Sequence, residues 1–136
     1  MPAISVERTI GATKRAVIGG LNRHASERIG KQKYRQFAIS LRDDGAIVGG
    51  IIGQVWMSVL FIKLFWIDER FRSQDHGTAL IRAIEEEARR FGAARSYVDT
   101  MSFQAPGFYR ACGYQEFGTI DGYPGGVTRH WFTKVL

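Results

Sequence analysis

The sequence has few of the residues that build disulfide frameworks and metal centres. Its 136 residues include one cysteine, Cys112, which excludes an internal disulfide and a metal cluster held by cysteines. The three histidines, His24, His76 and His130, lie far apart and lack the short spacing of metal-binding motifs. We therefore expect no metal site.

Long apolar segments and targeting signals are also missing. The longest largely apolar stretch, 55–67, is interrupted by Ser58 and Lys63 and is shorter than the roughly 20 residues that cross a bilayer. The N-terminal residues show no basic segment followed by an apolar one, as a secretory signal would. We therefore expect a cytoplasmic protein without a membrane partner, folded as a single domain over residues 1–136.

Negative charge is scarce near the N-terminus, and the whole chain carries a net charge of +6. Between positions 14 and 35, one acidic residue, Glu27, accompanies seven basic ones: Lys14, Arg15, Arg23, Arg28, Lys31, Lys33 and Arg35. This segment is either a solvated basic face, a nucleic-acid contact, or a surface that attracts an anionic cofactor or substrate. The solvated face is the simplest explanation, and we expect no nucleic-acid partner.

Apolar patterns predict a chain that mixes strands and helices. The predicted strands are 4–10, 34–41, 46–57, 59–67, 94–100, 114–120 and 127–135; the predicted helices are 14–18, 21–29, a long one that Gly92 ends, and 104–112. The order β-α-α-β-β-β-α-β-α-β-β indicates an α/β fold with a mixed, mostly antiparallel sheet flanked by helices. The strand–helix–strand unit around the long helix requires one parallel pair.

Local signals refine this prediction. Asp44-Gly45 favours a hairpin turn because this pair readily adopts positive φ. The strand 59–67 is nearly all apolar, which is typical of a strand covered on both faces. In the long helix an apolar stripe faces the core, and the residues predicted to face solvent are Arg82, Glu85, Glu86, Arg89 and Arg90, with Glu85–Arg89 and Glu86–Arg90 as ion pairs.

The segment 71–78 joins the end of a strand to the start of the long helix. Backbone N–H groups at such a helix start lack partners, and the helix dipole is positive there, so the junction favours an anion. Thr78 adds a hydroxyl and Arg72 a permanent positive charge. The turn is either a diphosphate site or an ordinary loop with Arg72 in solvent, and the turn alone does not decide.

A second motif points to a family. The turn R-x-x-D-x-G, with Arg72 and Gly77, is followed by a helix that carries Phe108-Tyr109 shortly before Gly113-Tyr114. Together they resemble the GNAT superfamily of acyl-CoA N-acyltransferases, whose turn reads Q/R-x-x-G-x-G/A and whose late helix carries Phe-Tyr before Gly-Phe or Gly-Tyr. The predicted element order also matches, so the resemblance covers nearly the whole chain.

The resemblance implies an N-acetyltransferase that moves acetyl from acetyl-CoA to a primary amine of a small molecule or a protein by direct attack. The cosubstrate would lie between the strands 61–67 and 94–100, with its pantetheine amides on the backbone near Trp66 and Ile67. Gln104 would contact the cosubstrate or a bound water. Its diphosphate would lie on the N–H groups of the turn, which comprises Arg72, Ser73, Gln74, Asp75, His76, Gly77 and Thr78.

The resemblance also assigns proton donors and acceptors. Tyr109 would protonate the leaving thiolate, since a phenol with a pKa near 10 stays protonated at neutral pH; otherwise it is a half-buried helix tyrosine that packs on the sheet. A base must accept the proton of the amine. Glu69, at the end of the central strand, and Asp99, on the strand across the opening, are candidates, and either could instead be a surface or structural carboxylate.

Two residues depart from the family pattern. Ser73 and Asp75 stand where glycine is usual, and Asp75 places a carboxylate where the backbone should approach the diphosphate. Two like charges about 5 Å apart at an effective dielectric near 20 repel by roughly 3 kcal/mol. Either Asp75 points outward, or acetyl-CoA binds weakly.

An alternative function is therefore a non-catalytic GNAT-fold protein that binds a small molecule or nucleic acid. Sheet edges and the apolar C-terminal segment 130–136 predict a homodimer.

Overall fold

The computed structural model describes residues 1–136, which form two compact units, Met1–Gln32 and Lys33–Leu136. The second unit is a mixed six-stranded sheet with helices, as predicted. Its strands are β1 Tyr34–Asp43, β2 Ala46–Trp56, β3 Val59–Ile67, β4 Arg95–Met101, β5 Gln115–Tyr123 and β6 Val127–Val135, and they lie in the order β1-β2-β3-β4-β6-β5. Only β3 and β4 pair in parallel, which confirms the predicted crossover.

The first unit differs from the prediction. Residues 4–10 form no strand, and one continuous helix, α1 Gly11–Ile29, replaces the two predicted short ones. Gly19 and Gly20 lie inside this helix. An interior glycine costs about 0.5–1 kcal/mol relative to alanine, which lowers helix stability without forcing a break. Gly30, with φ 72°, ends the helix as predicted.

The hairpin between β1 and β2 confirms the turn prediction. Asp44 and Gly45 have φ values of 47° and 81°, the two positive values that a tight hairpin turn of this kind needs. β1 and β5 are the edges of the sheet, whereas β6 lies between β4 and β5. The C-terminal strand is therefore not an edge, and the homodimer stays a prediction.

A bulge in β3 changes which side chains face the core. Gly53 pairs with Ile62 and Ile52 pairs with Leu64, so Lys63 has no partner in β2. Leu60 and Ile62 are buried before the bulge, but Leu64 and Trp66 after it are 63% and 53% exposed. The prediction that this strand is covered on both faces is wrong for its second half, where one face is exposed. The extra residue places Leu64 and Trp66 on that face and packs Phe65 and Ile67 against the core.

The long helix, α2 His76–Arg90, covers one face of the sheet. Its buried residues are Leu80, Ile81, Ile84, Glu85 and Ala88. Gly53 on β2 permits the close approach: a Cβ there would lie 2.9 Å from the Phe61 carbonyl oxygen and 3.0 Å from Ile84 Cδ1. None of the helices is both long and apolar enough to span a membrane.

Glu85 corrects the prediction for this helix. It is 2% exposed rather than facing solvent, and its Oε1 accepts from Lys134 Nζ on β6 at 3.1 Å. The predicted pair with Arg89 is absent, since Arg89 bonds to Glu86 instead, while the predicted pair of Glu86 with Arg90 is present at 3.5 Å. Glu85 is buried because partners from other elements satisfy its carboxylate.

Candidate functional site

A cleft opens where β3 and β4 separate. The two strands pair only between 59–62 and 95–98, although both continue beyond these residues. The opening has a volume of about 1020 Å³ and is lined by the second half of β3, the following turn, the end of β4 and the short helix α3 Pro106–Ala111. This is the place where the family resemblance implies that acetyl-CoA lies.

The turn before α2 has an unusual backbone. Ser73 and Asp75 have φ values of 60° and 65°, in the left-handed region that favours glycine and that aspartate tolerates better than most residues. Asp75 precedes α2 but gives it no side-chain cap, and the first turn contains no acidic residue. The first N–H groups of α2 thus keep their capacity to bind an anion.

Arg72 holds the turn against β3. Its Nε donates to the Ile67 carbonyl oxygen at 2.8 Å. This bond uses one donor of the guanidinium and leaves the other N–H groups of Arg72 for a ligand. Ile67 is one of the two residues predicted to pair with pantetheine, and Arg72 occupies its carbonyl oxygen. The backbone group of Ile67 that Arg72 does not engage is the amide N–H.

Gly77 lets an aromatic side chain form one wall of the cleft. A Cβ at Gly77 would lie 3.1 Å from Phe108 Cε1, tighter than ordinary van der Waals contact. Phe108 in turn packs edge-on against Phe65 of β3, with ring centroids 5.7 Å apart. The glycine of the sequence motif therefore has a packing role, which joins α2, α3 and β3 at the cleft.

Tyr109 is buried except where it meets the cleft. The residue is 6% exposed, and its ring packs between those of Phe108, Tyr114 and Phe132 with centroids 5.3 to 6.0 Å apart. Tyr109 is also one of the residues that line the cleft. Burial, with smaller contributions from Cys112 and Asp99, raises the pKa of Tyr109 to about 12.

The two candidate bases lie in different places. Asp99 lines the cleft, and its Oδ1 accepts from Arg129 Nε at 2.9 Å and Nη2 at 2.6 Å. Oδ2 makes no such bond and remains an acceptor. Glu69 is exposed on the 3-10 turn Glu69–Phe71 and does not line the cleft. The structure therefore brings Asp99, and not Glu69, to the opening that contains Tyr109.

Most of the other predicted residues line the cleft. These are Trp66, Ile67, Arg72, Ser73, Asp75, Gly77, Thr78 and Gln104. Gln104 closes the loop after β4, because its Oε1 accepts from the Met101 amide at 2.8 Å, which leaves its Nε2 as a donor. Gln74 and His76 are not part of the lining, and Gln74 Nε2 donates to the Arg70 carbonyl at 3.1 Å.

Several lining residues were not predicted. They include the aromatic residues Phe65, Phe71, Phe103 and Phe108, the basic residues Lys63 and Arg129, and Leu64. The Phe-Tyr pair was a signal that could have placed Phe108 in the site. Arg129 reaches Asp99 through the antiparallel pairing of β6 with β4, in which Met101 lies opposite Arg129. No local sequence pattern predicts that pairing of β6 with β4.

Comparison with known proteins places the chain in a family. A family model described as "Acetyltransferase (GNAT) family" matches residues 16–114. The chain belongs to the GNAT family. It is 41% identical over 93 residues to a blasticidin-S acetyltransferase of Streptomyces morookaense, with 68% of each sequence covered. This GNAT protein is therefore an acetyltransferase, and nothing in the comparisons favours the non-catalytic alternative.

Solved structures agree with this assignment. The crystal structure of an acetyltransferase of Bacillus cereus covers 98% of each chain with a TM-score of 0.89 and 28% identity. An aminoglycoside 6'-N-acetyltransferase, solved with coenzyme A, covers 74% of this chain and 72% of its own with a TM-score of 0.65 and 18% identity. The second similarity shows the shared fold alone.

Proposed function

We propose that this GNAT protein transfers acetyl from acetyl-CoA to the primary amine of a small molecule by direct attack, within one catalytic domain. The observation that carries the proposal is a single cleft lined both by the start of an uncapped helix and by Tyr109. The relative named for blasticidin-S supports a small acceptor over a protein amine.

The residues of the cleft fit the cosubstrate. The diphosphate would bind to the first N–H groups of α2, which are partly positive and have no side-chain cap. It would also bind to the guanidinium of Arg72, which is cationic and uses only its Nε within the protein. The unpaired edge of β3 beyond Ile62 would pair with the pantetheine amides near Trp66. Gln104 Nε2 would donate to the cosubstrate or to a bound water.

Proton transfers follow from the two ionisable groups at the opening. As the amine nitrogen bonds to the thioester carbon and the carbon–sulfur bond breaks, Tyr109 would donate its proton to the leaving sulfur. Asp99, through Oδ2 and directly or by a water, would take the proton lost by the amine. A phenol with a pKa of about 12 is a weak acid, so its transfer requires a thiolate made more basic by the same buried surroundings.

Calorimetry and a thiol assay test the function. Titration with acetyl-CoA should release or absorb heat, and a panel of small primary amines should include at least one that causes thiol release by the wild-type protein. Absence of heat at millimolar acetyl-CoA would overturn the proposal. The homodimer, the cytoplasmic location and the absence of a nucleic-acid partner stay predictions from the sequence.

Asp75 sets the strength of the cosubstrate site. We expect Asp75→Gly and Asp75→Asn to lower the Kd for acetyl-CoA by about tenfold, because a repulsion of at most roughly 3 kcal/mol is removed. Both replacements tolerate the positive φ of this position, so neither should lose the turn. Calorimetry at low and high salt measures the effect, which should shrink as salt rises.

A control variant separates the effect of a charge close to the diphosphate from the effect of the net charge of the protein. Asp121→Asn removes the same charge from an exposed position on β5, outside the cleft. Its Kd should match that of the wild type. If Asp75→Asn binds acetyl-CoA no more tightly than Asp121→Asn, the carboxylate of Asp75 points away from the diphosphate and does not weaken binding.

A further inference from the structure

We infer that Tyr114 is a positioning residue for Tyr109, held in place by a buried network that joins α2, β4 and β6. The inference rests on the proposed acid role of Tyr109. It also gives a physical reason for the five-residue spacing between the two tyrosines, which motif matching alone leaves unexplained.

The end of α3 ties the two tyrosines together through the backbone. Gly113, with φ 91°, ends the helix in the left-handed conformation, and its N–H donates to the Arg110 carbonyl at 3.0 Å. The Tyr114 N–H donates to the Tyr109 carbonyl at 3.0 Å. This pair of bonds is a Schellman motif, which often brings the side chains of the two bonded residues together.

The two rings make that contact. Their centroids lie 6.0 Å apart at 74°, an edge-to-face arrangement. Because Tyr114 is 4% exposed, its ring has no freedom to move away from Tyr109 without opening the core. Any displacement of Tyr114 therefore moves the ring that carries the proposed acid.

The hydroxyl of Tyr114 is fixed by groups on two other elements. It donates to Glu85 Oε2 on α2 at 2.8 Å and lies 2.8 Å from Ser96 Oγ on β4, whose proton completes the second bond. Glu85 is held in turn by Lys134 Nζ on β6 at 3.1 Å. Ser96 is fully buried, and Glu85 and Tyr114 nearly so, so the network is satisfied internally rather than by solvent.

The network thus anchors the acid to the elements that form the cleft. β4 supplies one side of the opening, and α2 begins at the turn proposed to hold the diphosphate. Tyr114 connects both to the end of α3. If Tyr114 loses its hydrogen bonds to the network, the cosubstrate site should stay in place while the hydroxyl of Tyr109 loses its fixed orientation.

Tyr114→Phe tests this because it keeps the ring and removes only the hydroxyl. We expect kcat to fall about tenfold while the KM for acetyl-CoA stays within about twofold, as for a misplaced catalytic group. NMR of the protein with 13C-labelled tyrosine, titrated to pH 11, gives a readout without substrate. In the wild type Tyr109 should stay protonated, and in the variant its pKa should fall from about 12 toward about 10 as water reaches it.

Controls separate positioning from stability and from the proposed function. Phe37→Leu, in the core contributed by the far edge strand β1, should lower stability without changing either readout. If Tyr114→Phe does not fold, Ser96→Ala, which removes one of the two partners, should show the same changes at smaller size. Wild-type kcat and an unchanged Tyr109 titration in a folded variant would overturn the inference. If the wild type releases no thiol, the acid role fails, and the titration still decides whether Tyr114 holds the ring.

Discussion

Tyr109→Phe should lower kcat by about 10²-fold or more, with the affinity for acetyl-CoA nearly unchanged. A positioned general acid typically contributes 10²- to 10⁴-fold, and the substitution removes only the hydroxyl from a packed ring. Because burial raises the pKa of Tyr109 to about 12, the phenol stays protonated from neutral pH to about pH 10. The difference between wild type and variant should therefore persist across that range, measured by initial rates of thiol release.

A second tyrosine provides the control. Tyr34 lies on β1, outside the cleft, and its hydroxyl bonds to Gln36 and Gln54. Tyr34→Phe removes the same atom from the surface and should keep the wild-type rate. A Tyr109→Phe enzyme with full activity would show that another group or water protonates the thiolate. A loss confined to the KM for acetyl-CoA would assign Tyr109 to binding instead.

Glu85→Ala should lower the free energy of unfolding by about 3–5 kcal/mol. Removal of one partner from a buried ion pair strands the other charge, and the change also takes the acceptor from the Tyr114 hydroxyl. Lys134 is 24% exposed and can turn toward water, so the effect should lie near the lower end of that range. Urea denaturation measures it as a lower midpoint with an unchanged slope.

The neighbouring glutamate is a matched control for Glu85. Glu86 lies one position further along α2, is 53% exposed and pairs with Arg89 and Arg90. Glu86→Ala should cost at most about 1 kcal/mol, as is usual for exposed pairs. The double variant Glu85→Leu with Lys134→Met should recover part of the stability, since it leaves no stranded charge. Equal costs for the two alanine variants would contradict the buried pair.

The sequence predicts best where a structure is set by neighbouring residues. The bounds of β3 and β6, the turn at Asp44-Gly45 and the end of α1 at Gly30 all follow from local apolar patterns or from glycine. The resemblance to a family then identified a set of site residues most of which line the cleft, because its motif spans a strand end, a turn and a helix.

Features that depend on distant partners could not be predicted in this way. Glu85 pairs with Lys134, and Asp99 with Arg129, across 49 and 30 positions of sequence. A signal for Glu85 was available, since it lies four residues after Ile81 and one after Ile84 within the buried stripe of α2. The bulge at Lys63 had no such signal, because the residues on both sides of it are equally apolar.

The separation of β3 from β4 has a consequence for hydrogen exchange. Amide protons that bond between the paired segments 59–62 and 95–98 are shielded by the ladder, whereas those that face the opening beyond it have no strand to protect them. The same backbone thus contains slowly and rapidly exchanging sites a few residues apart. Deuterium uptake along 63–67 therefore reports directly on whether a ligand occupies the cleft, without any knowledge of the acceptor.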